Sequence, residues 1–209
     1  MDKKQIISQM SDIAKKYNLE ISSATLEKIV HMSVFHVAEK GKCLRHIGDE
    51  TKNAGLVLNG ITRCFYLDGN GNDITRGFSI PGTLCMDEGM FGYAESLTEW
   101  ETLEETTLMV FSVEQLKKMI YEDVLLKNAY MTLLENALRY KIYRENGFLV
   151  ESATERYIHF RKLYPEICST VKQQYIATYL GIAPESLSRI RKNMRETEND
   201  LNPDLSMHR

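Results

Sequence analysis

Between Gln173 and Lys192 the chain reads QQYIATYLGIAPESLSRIRK, and a handful of these residues leave it little choice of shape. Ile176 and Leu180 lie four apart on one helix face, with Ala177 beside them. Two helices that cross steeply need a small residue at the crossing, and Ala177 is that residue. Four positions on, Gly181 can leave the helix through left-handed backbone. Ile182 then plugs the turn, Pro184 suits the first turn of a second helix, and Leu187 and Ile190 anchor that helix to the first. Each position has its own steric cause, so the spacing predicts a helix-turn-helix. The bland alternative is an ordinary helical hairpin with a solvated charged face.

The second helix would expose Glu185, Ser186, Ser188, Arg189 and Lys192. In this geometry the N-terminal residues of the second helix meet base edges in the major groove of DNA. Arginine can contact guanine through two hydrogen bonds, and glutamate can accept one from cytosine. Arg191, Lys192 and Arg195 are better suited to phosphates, which add affinity without sequence information. The formal net charge of −3 gives no global sign of nucleic acid, but binding depends on where positive charge sits. From Pro184 to Arg195 four cations stand against Glu185 alone.

Upstream the texture differs. Ile6, Ile7, Met10, Ile13, Ala14 and Tyr17 recur at helical spacing, and Leu26, Ile29, Val30 and Met32 suggest a second helix. From about Phe35 to Phe111, β-prone runs are split by glycine turns. Asn59-Gly60 falls between Ala54–Leu58 and Ile61–Tyr66, where it reads as a two-residue hairpin turn. Asp68-Gly69 and Asn70-Gly71 precede a further run over Ile74–Ile80. The expectation is a small antiparallel barrel or double-sheet roll. Helical periodicity resumes at Val113, and Leu126, Tyr130, Leu133, Ala137 and Tyr140 alternate in steps of four and three. That is the spacing of a coiled-coil seam, through which two copies would pair; packing of this helix on its own domain is the other reading. Ser152-Ala-Thr-Glu155 fits a capping box that opens a new unit. The expected class is α+β: a sensing β-roll over 1–120, a dimerisation helix over 121–148 and a helix-turn-helix domain over 149–209. The polar tail after Glu196 is expected to be loosely ordered.

A 43% hydrophobic content with 26% charged residues is that of an ordinary globular protein. No apolar run approaches the roughly 18 residues of a membrane span, and Met1 to Gln5 begin no secretory signal, so a cytoplasmic location is expected. Cys43, Cys64, Cys85 and Cys168 form no C-x-x-C pair, which leaves no expected metal site and points to plain thiols or a redox-sensing one. A phosphate-binding loop, a nucleophile elbow and paired metal-ligand histidines are all missing from the sequence. The acidic run from Glu99 to Glu105 reads as solvated surface. Nothing here points to an enzyme.

Taken together, the chain resembles the cyclic-AMP receptor protein and fumarate-nitrate regulator (Crp/Fnr) superfamily of bacterial transcription regulators. The resemblance covers about residues 20–193. It is carried by Gly48-Asp49, by Leu58-Asn-Gly-Ile-Thr-Arg63, by Pro81-Gly82, and by Tyr175-Ile-Ala-Thr-Tyr-Leu-Gly-Ile-Ala-Pro-Glu-Ser-Leu-Ser-Arg189. It implies a cyclic-nucleotide-binding-like roll and a homodimer on a palindromic double-stranded operator, with RNA polymerase as a further partner. Glu185, Ser188 and Arg189 look like the base-reading triad of the fumarate-nitrate branch.

The chain departs from that pattern in three places. The cyclic-nucleotide binders hold the cyclic phosphate with an arginine after the Pro-Gly turn, and no arginine or lysine lies between Arg76 and Lys117. Cyclic AMP is therefore not the expected effector, because an uncompensated buried phosphate is costly. No cysteine precedes Cys43, so the closely spaced cysteines of an iron–sulfur cluster are missing; a haem ligand would come from His31, His36 or His46. No alternation after Asn193 builds the family's β-wing. Met86, Asp87, Glu88, Met90 and Trp100 are the candidate effector pocket, with Phe91 and Tyr93 as further apolar lining; plain core is the competing reading. The cofactor is left unknown. A second functional class stays open: a ligand-sensing module that acts through protein contacts, its DNA-binding half vestigial.

Overall fold

The structure, a computed structural model, describes residues 2–201, with side chains as far as 196. The chain divides into two compact units, Met1–Lys141 and Ile142–Arg209.

The first unit opens with α1 (Lys3–Lys16) and α2 (Ser23–Met32). Asp2 and Gln5 close a capping box on α1, and the Ser22 hydroxyl accepts from the Thr25 amide at the start of α2. Eight strands follow: β1 (Val34–Ala38), β2 (Cys43–Arg45), β3 (Asn53–Asn59), β4 (Thr62–Leu67), β5 (Asp73–Ser79), β6 (Leu84–Cys85), β7 (Glu99–Thr102) and β8 (Thr106–Ser112). A single 3₁₀ turn, Glu88–Phe91, sits between β6 and β7. The strands form two four-stranded antiparallel sheets, in the orders β1-β8-β3-β6 and β2-β7-β4-β5. This is the double-sheet roll expected from the turn spacing. Then come α3 (Val113–Glu122) and α4 (Val124–Val150).

One expected hairpin turn has a different role. Asn59-Gly60 does not close a hairpin, because β3 and β4 belong to different sheets. Gly60 carries the chain across the roll at φ +89°, so close to its edge that a Cβ there would lie 2.6 Å from the Glu105 carbonyl oxygen and 2.7 Å from Thr106 Cα. The real hairpin is β4–β5, closed over Asp68–Asn72, where the Asp68 carboxylate accepts from the Asn70 and Asn72 amides. Gly60→Ala is therefore expected to destabilise the unit by more than about 1 kcal/mol in chemical denaturation. Gly71→Ala, at a similar φ but with nothing near the added carbon, separates backbone strain from crowding. Equal losses in the two variants would show that crowding at Gly60 is irrelevant.

Two apolar layers hold this unit. One packs α1, α2, α3 and the start of α4 on the first sheet through Ile6, Met10, Leu26, Ile29, Leu58, Met109, Phe111, Leu116 and Leu126. The other fills the roll with Val57, Cys64, Cys85, Met86, Trp100 and Leu108. Leu126 and Ala129 are buried and Tyr130 packs on the first layer, so the start of the expected seam packs on its own domain. Leu126 and Tyr130 are spent on their own domain, Leu133 and Ala137 are exposed, and Tyr140 is half-buried. Besides these, α4 leaves uncovered a second apolar face through Met131, Leu138 and Ile142, with half-buried Leu134 among them.

The second unit continues from α4 into α5 (Ala153–Leu163), α6 (Ile167–Thr170), α7 (Gln173–Leu180) and α8 (Pro184–Leu201). The Ser152/Glu155 capping box forms as read. Where the family's wing would begin, α8 simply continues as helix, and among the described residues no strand follows it. Side chains beyond Glu196, and with them the expected loose tail, lie outside the described residues.

Candidate functional site

The helix-turn-helix is assembled on buried residues from four helices. Tyr157 and Phe160 of α5, Ile167 of α6, Ile176, Ala177, Tyr179 and Leu180 of α7, and Leu187 of α8 are all buried. The rings of Phe160, Tyr164 and Tyr179 pack 5.1–6.2 Å apart, in the tilted and edge-on arrangements aromatic quadrupoles favour. Ala177 is wholly inaccessible, as the crossing required. Gly181 turns the chain at φ +67°; its amide donates to the Thr178 carbonyl, and the Ile182 amide donates back to Ala177. A Cβ on Gly181 would also meet the Phe148 ring at 2.9 Å. Conformation and crowding both select glycine here.

With Leu187 pinned, the opposite face of α8 is free. Glu185, Ser188, Arg189 and Lys192 are exposed, at the 3–4 residue spacing of one helix face, whereas Ser186 and Arg191 are half-buried. Lys192 lies 3.8 Å from Glu196 in an exposed pair, which solvent makes weak. Arg191 and Arg195 border two recesses. One is shared with Gln173, Ser188 and Lys192, the other with Tyr157, Arg161, Cys168 and Ser169. Arg161 and Gln173 were missed in the sequence because each sits on a different helix from the basic run of α8. Burial pushes the Cys168 thiol up, against the pull of Arg161 and Arg191.

The five candidate effector residues divide between two apolar layers and a buried polar cluster. Met90 packs in the layer between helices and sheet, while Met86 and Trp100 belong to the roll interior. Phe91 and Tyr93 are exposed. What the fold builds there is a buried polar knot. Glu88 Oε1 accepts from Ser96 Oγ at 3.1 Å, Thr98 Oγ1 at 2.5 Å and the Trp100 indole at 3.1 Å. Its other oxygen lies 3.7 Å from Arg45 Nη1. Arg45 in turn donates to the carbonyls of Met86 and Asn53, at 2.7 and 2.5 Å. Burial raises Glu88, but these hydrogen bonds together outweigh it and hold the carboxyl below its usual range. For Asp87 burial wins over Arg76 and the carboxyl is raised; its Oδ1 is buried with no hydrogen-bond partner.

Arg45 and Arg76 were invisible to a count of cations after the Pro-Gly turn, because β2 and β5 bring them in from elsewhere. Arg45 is nonetheless committed to Glu88 and two carbonyls, and Arg63 to Glu101 and Asp73 at 2.7 and 2.6 Å. Cys64 and Cys85 are buried and their thiols are pushed up by desolvation, that of Cys64 to about 11.

At the rim of the roll, three side chains of different chemistry converge. Cys43 Sγ lies 3.5 Å from His46 Nδ1 and 3.7 Å from Glu99 Oε2, and His46 Nδ1 lies 2.9 Å from the same oxygen. Burial and Glu99 raise the Cys43 thiol. The Cys43-x-x-His46 spacing is legible in the sequence, whereas Glu99 arrives only through the pairing of β2 with β7.

No known family profile matches this chain, and neither does any curated protein sequence. Solved structures do. FixK2 from Bradyrhizobium japonicum superposes with a TM-score of 0.69 at 17% identity, covering 79% of this chain and 86% of its own. The c-di-GMP-responsive global regulator CLP of Xanthomonas campestris gives 0.68 at 16%, covering 85% and 93%. The Thermus thermophilus catabolite activator protein gives 0.55 at 18%, covering 87% of each chain. Among the described residues no helix is long and apolar enough to cross a membrane. At these identities the likeness speaks for architecture, and the chain has the fold of the Crp/Fnr-type transcription regulators.

Proposed function

We propose that this protein is a homodimeric, sequence-specific DNA-binding transcription regulator of the cytoplasm, without enzymatic activity of its own. The observation that carries the reading is the exposed face of α8, where Glu185, Ser188, Arg189 and Lys192 stand clear above a buried Leu187. Glu185 and Arg189 would read one C·G pair in each half-site and Ser188 a neighbouring base. Ser186, Arg191, Lys192, Arg195 and Gln173 would meet the backbone. The uncovered face of α4 at Met131, Leu134, Leu138 and Ile142 is the surface on which a second copy would pair, setting half-sites about one helical turn apart. RNA polymerase is the partner through which bound protein would act. The effector is not cyclic AMP: Arg45 is paired with Glu88 and donates to two carbonyls, and Asp87 and Glu88 would repel a phosphate.

Selection from random double-stranded DNA tests the reading, with a twofold-symmetric motif as the expected product. Arg189→Ala should relax the preference at one base pair per half-site by about 1–3 kcal/mol, while Lys192→Ala should weaken all sequences alike and reduce the salt slope by about 1. If no motif is enriched, the protein acts through other contacts and DNA recognition is excluded.

A further inference from the structure

We propose that Cys43, His46 and Glu99 form a binding site for a borderline-soft divalent cation, zinc above all, at the rim of the β-roll. A tetrahedral zinc with ligand bonds of about 2.0–2.3 Å places its sulfur, nitrogen and oxygen ligands about 3.3–3.6 Å from one another. The three donor atoms here are 3.5, 3.7 and 2.9 Å apart, one face of such a tetrahedron to within a few tenths of an ångström. The donors also differ in kind. A thiolate, an imidazole and a carboxylate together suit zinc and its transition-metal neighbours; magnesium and calcium take oxygen almost exclusively.

The surroundings position each ligand. Cys43 and Glu99 sit on paired strands, since β2 meets β7 at Cys43↔Glu101 and Arg45↔Trp100. The Ile47 amide holds the second oxygen of Glu99 at 3.0 Å, and the His46 amide donates to Asp49 at 2.7 Å. These contacts fix the carboxylate and the turn that carries the imidazole, the supporting role that outer-shell groups have in metal sites. His46 is largely exposed, with 68% of its side chain accessible, so an ion can enter from solvent and keep water in its fourth position. On binding, the Cys43 thiol gives its proton to solvent as the sulfur–metal bond forms. The occupied site would also clamp the strand end that leads into the polar knot, because Thr98 and Trp100, the neighbours of Glu99, both donate to Glu88.

The test is a cobalt(II) titration of the reduced, chelator-treated full-length protein, followed by zinc. One equivalent per chain should bind with a near-ultraviolet thiolate-to-cobalt band, which zinc should then erase. Cys43→Ser should abolish the band. Loss of outer-shell partners alone costs about 10–100-fold in affinity, so His46→Ala and Glu99→Gln should each weaken cobalt binding at least about tenfold. Cys168→Ser should change nothing. His46→Ala removes an exposed side chain, so it reports on binding even if the other variants lose their fold. A wild-type protein with no thiolate band overturns the proposal, as does a band that survives Cys43→Ser.

Discussion

Glu88→Ala is expected to lower the stability of the β-roll by about 3–5 kcal/mol, because it strips a buried guanidinium of its carboxylate. Arg45 and Glu88 are 7% and 4% exposed, so water cannot replace the lost partner. The alanine would also leave the Thr98 hydroxyl and the Trp100 indole, both buried, without the oxygen they now share. Glu88→Gln keeps an acceptor for both and should lose less. The double replacement Arg45→Met with Glu88→Leu removes both charges and should recover much of the loss. Trp100 is the only tryptophan in the chain, so its fluorescence during denaturant unfolding reads the knot directly. A loss below about 1 kcal/mol for Glu88→Ala would mean that Arg45 is satisfied by its two carbonyls alone.

In the second unit the largest expected effect belongs to Leu187→Ala. Leu187 is the one wholly inaccessible residue of the described part of α8, and it holds the helix so that Glu185 and Arg189 point outward. Truncation should cost about 2–5 kcal/mol through lost burial and a residual cavity. The loss should appear in helical circular dichroism and in operator affinity, with the chemistry of the exposed face unaltered. Ser188→Ala is the control, since that side chain is exposed and its removal should leave the unfolding midpoint within about 0.5 kcal/mol. Equal midpoints for the two variants would remove Leu187 from its anchoring role.

The second unit was far more legible in the sequence than the first, for a physical reason. Ala177, Gly181, Ile182 and Leu187 constrain one another across ten residues, and their roles follow from helix geometry without reference to any distant part of the chain. The roll is built from long-range pairings. Asn59-Gly60 carries the local chemistry of a hairpin turn, but β8 pairs with β3 while β7 pairs with β4, and that competition decides the outcome. Glu88, Arg45 and Trp100 come from three separate segments, so neither the polar knot nor the cations within it could be read from any one stretch. The division of the α4 seam between its own domain and solvent was hidden for a similar reason. Period alone cannot tell which of two apolar faces the helix spends on its own core, and the α2–α3 layer takes Leu126 and Tyr130 first.

The four cysteines divide in a way that matters at the bench. Cys64 and Cys85 are sealed inside the roll, while Cys43 and Cys168 are half-buried, one in each compact unit. Thiol reagents act on accessible thiolates, and burial raises both of these thiols, so labelling at the one half-buried cysteine of each unit needs alkaline pH. A donor and acceptor dye on that pair would follow the separation of the two units in solution, and zinc would compete with the dye for the first of the two positions.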